Sequence, residues 1–183
     1  MIIEIGDARR VERLISLVEP LLDRKHWISN EALQTRRWCR ILQTEESVCE
    51  WLPQIKNYIE RKGNEHLISL AIGEWIGVPA QEAMRQGVCV AAEFSADEVG
   101  LSEVNFKYEP GDYAVFDEAM SFIIVCEKPD LAAIAGPESV LEEFFGHSLD
   151  QEFADFKSHA EEMKQHAWKL HEYYDVALIR CLE

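Results

Sequence analysis

The sequence predicts an α+β domain: an antiparallel meander sheet, about residues 88–135 plus a terminal strand, packed against N-terminal helices and a long C-terminal helix. Three observations lead there. Between Tyr113 and Ala135, the apolar runs Tyr113–Phe116, Met120–Cys126 and Leu131–Ala135 are separated by Asp-Glu-Ala and Glu-Lys-Pro-Asp, turn-forming clusters between β-prone segments. The first 62 residues repeat apolar side chains at three-four spacing behind capping residues. Ser148-x-x-Gln151 is a capping box that opens a seam of Leu149, Phe153, Phe156, Ala160, Met163, Ala167, Leu170 and Tyr174, about 38 Å long at 1.5 Å per residue.

In chain order, Met1–Ile5 is short and β-prone. Asp7 is placed to cap a helix burying Val11, Leu14, Ile15, Val18 and Leu22, which Pro20 should end or kink. Ser29 is expected to cap a second helix containing Leu33, Trp38, Ile41 and Leu42, with Arg36, Arg37 and Arg40 together on it. A third helix follows Thr44 and the Ser47-x-x-Glu50 box, carries Val48, Trp51, Leu52, Ile55 and Ile59, and stops at Gly63. Residues 1–62 thus read as a helical subregion of one domain spanning 1–183.

Glu65 to Val78 is almost wholly apolar, interrupted by Gly73 and Gly77, and is assigned to helix although periodicity does not separate helix from buried strand there. Pro79 begins a short helical turn ending at Gly87, and Val88–Phe94 reads as a strand. After the meander, Gly136-Pro137 starts a helix with an apolar face of Val140, Leu141, Phe144 and Phe145, closed by Gly146. The final stretch Val176–Leu182 is β-prone and is expected to pair with Met1–Ile5 or the meander edge.

Charge narrows the function classes. The chain has 34 acidic and 18 basic residues, a formal net charge of −16, and residues 63–183 alone carry −17. Such a surface repels nucleic acid and anionic membranes and suits a basic protein partner. The five cysteines are odd in number and widely spaced with no Cys-x-x-Cys, so the expectation is reduced thiols in a cytoplasmic protein without a disulfide framework or zinc knuckle. No run reaches the length of a membrane span, and the N-terminus has no basic-then-apolar leader pattern.

Catalytic signatures are equally sparse. The chain contains no G-x-x-x-x-G-K-[ST], G-x-G-x-x-G or G-x-S-x-G. Cys126 or Cys89 could form a nucleophile with His147, but both lie in apolar strand runs, where buried structural thiols are the rule. His159 and His166 are seven residues apart, a rise of about 10.5 Å, too far to share one ion on a straight helix; only Glu162 and His166 could. No catalytic, metal or cofactor residue is therefore assigned.

The sharpest feature is the acidic strip Glu93, Asp97, Glu98, Glu103, Glu109, Asp112, Asp117 and Glu118, interrupted by Lys107 alone. Clustered charge of one sign steers encounter with an oppositely charged partner, and Tyr108, Tyr113 and Phe116 are expected to anchor the contact. In general character the chain resembles the immunity proteins that protect bacteria from secreted toxins: small, acidic, cytosolic, motif-poor and α+β. The resemblance implies an immunity or antitoxin-type inhibitor that occludes the site of a basic toxin, for instance a nuclease. Two alternatives are a regulatory or adaptor module that forms homo-oligomers through the C-terminal seam, and a small enzyme without a recognisable motif.

Overall fold

A computed structural model describes residues 1–23, 28–44, 52–63, 66–72, 78–108, 112–127 and 131–163. The strands are β1 (Ile2–Glu4), β2 (Cys39–Thr44), β3 (His66–Ala71), β4 (Ala91–Ser95), β5 (Tyr113–Phe116), β6 (Ile123–Glu127) and β7 (Leu131–Gly136). The helices are α1 (Ala8–Val18), α2 (Asn30–Arg36), α3 (Leu52–Lys62), α4 (Ala80–Arg85), α5 (Glu98–Lys107), α6 (Glu138–Phe145) and α7 (Leu149–Met163). All strands join one antiparallel sheet in the order β1-β4-β3-β5-β6-β7-β2.

The meander expected from the turn clusters is present as β5-β6-β7, three neighbours in sequence order. Helices cover both faces of the sheet. On the first face, Val11, Leu14 and Val18 of α1, Leu33 of α2 and Ala80 and Ala83 of α4 pack on Ile68, Leu70, Ala114, Phe116, Ile123, Val125, Ala133 and Ala135. On the second, Ile55, Tyr58 and Ile59 of α3, Leu101 and Val104 of α5, Leu141 and Phe144 of α6, and Leu149 of α7 pack on Leu67, Tyr113, Val115, Ile124, Cys126, Ala132 and Ile134. Successive strand residues point to opposite faces, so two covered faces require nearly every strand position to be apolar. Phe122 fills this second core edge-on to Tyr58, with ring centroids 5.2 Å apart.

Several expectations are corrected. The apolar stretch 65–78 yields no helix among its described residues: His66–Ala71 is β3, buried from Leu67 to Ala71 between β4 and β5. Residues 73–77 lie outside the described residues. The helix begun at Ser29 ends at Arg36. Arg37 turns left-handed (φ 54°), and the Trp38 N–H returns to the Leu33 carbonyl at 2.9 Å, an αL stop made without the usual glycine. Trp38 and Ile41 are therefore not helical, and Cys39–Thr44 pairs with β7. Arg40 leaves the expected arginine group: it is buried and donates to the Ile28 carbonyl and to Asn30 Oδ1 (3.1 Å). Burial holds its guanidinium below the ordinary arginine value, against the opposing charge of Asp23.

Residues 1–62 are thus not a purely helical subregion, since they supply β1 and β2, the two edges of the sheet. The α1 cap is as expected, with the Arg9 N–H donating to Asp7 Oδ1 at 3.0 Å. Gly63, Gly87 and Gly146 adopt positive φ at the ends of their helical stretches. Of the C-terminal seam, Leu149 is buried and Phe153 partly buried against the second core. The seam beyond Met163, with His166, and the Val176–Leu182 strand lie outside the described residues. Cys39 is disulfide-bonded, contrary to the expectation of reduced thiols, whereas Cys89 is a free thiol. No helix among the described residues is long and apolar enough to cross a membrane.

Candidate partner-binding surface

The middle of the acidic strip is helical, formed by α5. Asp97 caps this helix, its Oδ1 accepting the Gly100 N–H at 2.7 Å. That bond, with a second from Ser95, holds the Asp97 carboxyl below its ordinary value. Leu101, Val104 and Tyr108 turn inward, while Glu98 and Val99 face solvent and Glu103 is half-buried. The helix lies hard on the end of β4: a Cβ on Gly100 would stand 2.1 Å from the Ser95 carbonyl oxygen.

The strip does not form one surface. Glu93 points to the first face and pairs with Arg10 of α1; Glu118, in the β5–β6 turn, pairs with Arg10 (3.5 Å) and Arg13 (3.7 Å). Asp97, Glu98 and Glu103 sit with α5 on the second face. Asp112 is half-buried before β5, and Glu109 lies outside the described residues. Asp117 is only 3% exposed and accepts the Ser121 N–H at 2.6 Å, closing the turn where Met120 takes φ 52°.

Nor are the expected aromatic anchors at the surface. Tyr108, Tyr113 and Phe116 are all buried. Tyr108 stacks on Tyr113 at 5.4 Å, and its hydroxyl lies 3.2 Å from Ser69 Oγ, so it is a satisfied core tyrosine. Burial raises its phenol far above the usual range.

The exposed apolar groups that sequence reasoning missed are Met1, Ile3 and Val99, at 74%, 57% and 62% exposure. They share one edge of the molecule. Met1 precedes β1, the last strand of the sheet, Ile3 is its middle residue, and Val99 lies one turn before Glu103, whose carboxylate is 3.5 Å from the Met1 amino group. Glu4 pairs with Lys107 across the same edge. Glu98 makes no ion pair among the described residues. A legible signal was alternation: Ile3 and Ile5 share a parity, but on a three-residue edge strand only one of them reaches the core.

Beneath this edge Cys89 is half-buried, with Sγ 3.9 Å from the Tyr108 hydroxyl. Burial raises the thiol above its ordinary value; Glu4 adds to this, and Lys107 opposes it. Cys126 is buried in the second core. His147 sits at the other end of the molecule, in the turn between α6 and α7, so the structure does not unite Cys89 and His147.

That turn borders an open cleft of about 460 Å³ lined by Arg61, Glu142, Glu143, Gly146, His147 and Ser148. Its polar groups are committed to one another. Lys62 pairs with Glu143 (2.8 Å), the Leu149 N–H donates to Glu142 (3.3 Å), and His147 meets Glu152 at 2.8 Å through Nε2 and the Ser148 carbonyl at 3.2 Å through Nδ1. Burial raises the Glu152 carboxyl despite the imidazole. The cleft shows a braced helix corner rather than a free acid and base. Residues 131–156 around it hold six carboxylates and no Lys or Arg, a second acidic region. No group of three or more potential metal ligands exists among the described residues. No protein family, curated protein or solved structure matches the chain.

Proposed function

We propose that this chain is a stoichiometric binding protein of the immunity or antitoxin type, which neutralises a basic partner such as a nuclease by covering its active site with an acidic surface. The observation that supports this reading is the coincidence, at the β1–α5 edge, of exposed carboxylates with all three large exposed apolar side chains of the described residues. Interface centres need apolar contact, and surrounding charge of one sign steers and orients the partner. The net charge of −16 extends that field over the whole molecule.

The contact centre in this reading is Val99 and Ile3, bordered by Glu98 and Glu103, in place of Tyr108, Tyr113 and Phe116. The experiment uses the tagged protein as bait in its native host, followed by binding measurements on the purified retained protein. The expected result is a basic partner in 1:1 ratio whose affinity falls with salt and falls at least about tenfold in Glu98→Lys/Glu103→Lys, roughly 1.4 kcal/mol or more. Undiminished affinity in that double variant would sink the assignment to this edge.

Self-association through the C-terminal seam has less support, because Leu149 and Phe153, its first two members, pack against the protein's own core.

A further inference from the structure

We infer that the free edge of β1 accepts an extended, basic segment of the partner as an eighth strand of the sheet. This rests on the binding-protein reading and specifies its mode. Among the described residues no strand lies on the outer side of β1. The register settles which backbone groups are offered there. The Ile5 N–H donates to the Ala91 carbonyl (2.9 Å) and the Ser95 N–H to the Met1 carbonyl (3.3 Å), with Ile3 opposite Glu93. Odd positions of β1 therefore turn their N–H and C=O groups to β4, and the alternation of an antiparallel ladder turns those of Ile2 and Glu4 outward.

The flanks fit one kind of occupant. An added strand would run with Ile3 beside it on the first face, and with Val99, Glu98 and Glu103 of α5 on the second. Apolar side chains alternating with Lys or Arg fit that division, because alternation sends all the apolar ones to the first face, onto Ile3, and all the cations to the second, onto Glu98 and Glu103. A second copy of this chain fits poorly. It would bring two α5 helices, each carrying Glu98 and Glu103, to a shared seam between molecules of charge −16. Short edge strands and charges normally guard against adventitious pairing; here the exposed Ile3 and Val99 work against that protection.

The test uses a synthetic heptapeptide alternating valine and arginine, compared with one of the same charge alternating glycine and arginine, and amide-resolved NMR of the protein. In the free protein the Ile2 and Glu4 amides should exchange freely with solvent. The valine peptide should protect both, shift Val99, and bind at least about tenfold tighter than the glycine peptide. Glu4→Pro removes an outward N–H while leaving the β4 ladder intact, and should abolish that preference; Glu4→Gln, which keeps the N–H, should retain it. The wild-type map stands even if the proline variant folds poorly. Equal binding of the two peptides overturns strand addition. So does protection of Ile2 and Glu4 before peptide is added, which would reveal an edge already filled by this chain or a second copy. Shifts centred on Glu138, Asp150 and Asp155 overturn the edge but leave an acidic binding protein, whereas binding of neither peptide removes support from both.

Discussion

Cys89 sits among groups that pull its proton in opposite directions. Burial and the Glu4 carboxylate disfavour the thiolate, while Lys107 and the Tyr108 hydroxyl favour it, and the net shift is upward. A thiol held above its ordinary value stays largely protonated at pH 8 and reacts slowly. Glu4→Gln removes the anion and releases Lys107 from its ion pair, so both changes lower the thiol value. Alkylation of Cys89 by iodoacetamide at pH 8, followed by peptide mass spectrometry, should accelerate several-fold in this variant. An unchanged rate would mean that burial alone controls the thiol. At this scale the sequence was a poor guide. Tyr108, Tyr113 and Phe116 stand among acids in the chain, yet all three are buried, Tyr113 and Phe116 because both faces of β5 are covered and Tyr108 because it ends the inward stripe of α5. Adjacency in sequence carries no information about which side of a strand or helix meets water.

At the scale of elements, α5 depends on two residues whose roles are separable. Gly100 has no room for a methyl group against the Ser95 carbonyl, so Gly100→Ala must push the helix away from β4. A loss of about 1–3 kcal/mol in urea unfolding is expected. Gly6→Ala, where nothing stands within 4 Å of the new Cβ, should change stability little. Asp97→Ala removes the cap and should cost about 1 kcal/mol at pH 7. The sign of its pH dependence follows from the depressed carboxyl. Its contribution is present above the unfolded value of about 3.9 and is lost as pH falls through the lower folded value, so wild type and Asp97→Ala should converge in acid. A constant difference from pH 7 to pH 3 would contradict that linkage.

The elements legible in sequence were those with punctuation. The meander had turn clusters at both joints, α1 had Asp7, and α6 had Gly136-Pro137 before it and Gly146 after it. The errors fell where punctuation was absent or ambiguous. β3 is apolar at successive positions because both its faces are covered, which erases the two-residue period that separates strand from helix. α2 ends on a left-handed arginine, so no glycine marked where helix gave way to β2. α5 lay hidden in a run of acids, although Asp97 followed by Leu101, Val104 and Tyr108 is a cap and an inward-facing stripe.

For the whole molecule, the strand order places charge in a way no linear reading could. The acids at 93–118 divide between the two faces of the sheet, and those gathered by Arg10 and Arg13 are partly neutralised. What remains for a partner on the second face is two acidic regions at opposite ends, α5 beside β1 and the α6–α7 corner, with Lys56, Arg61 and Lys62 of α3 also on that face. The α5 end alone also exposes large apolar side chains, and it borders the edge of the sheet. The most direct measurement compares dissociation constants of the captured partner for Glu98→Lys/Glu103→Lys and for Glu138→Lys/Asp155→Lys, each confirmed folded by its thermal transition. The account predicts at least about a tenfold loss for the α5 pair and a loss of no more than about twofold for the corner pair. Equal losses, or the larger loss at the corner, would contradict the claim that this protein meets its partner at the β1–α5 edge.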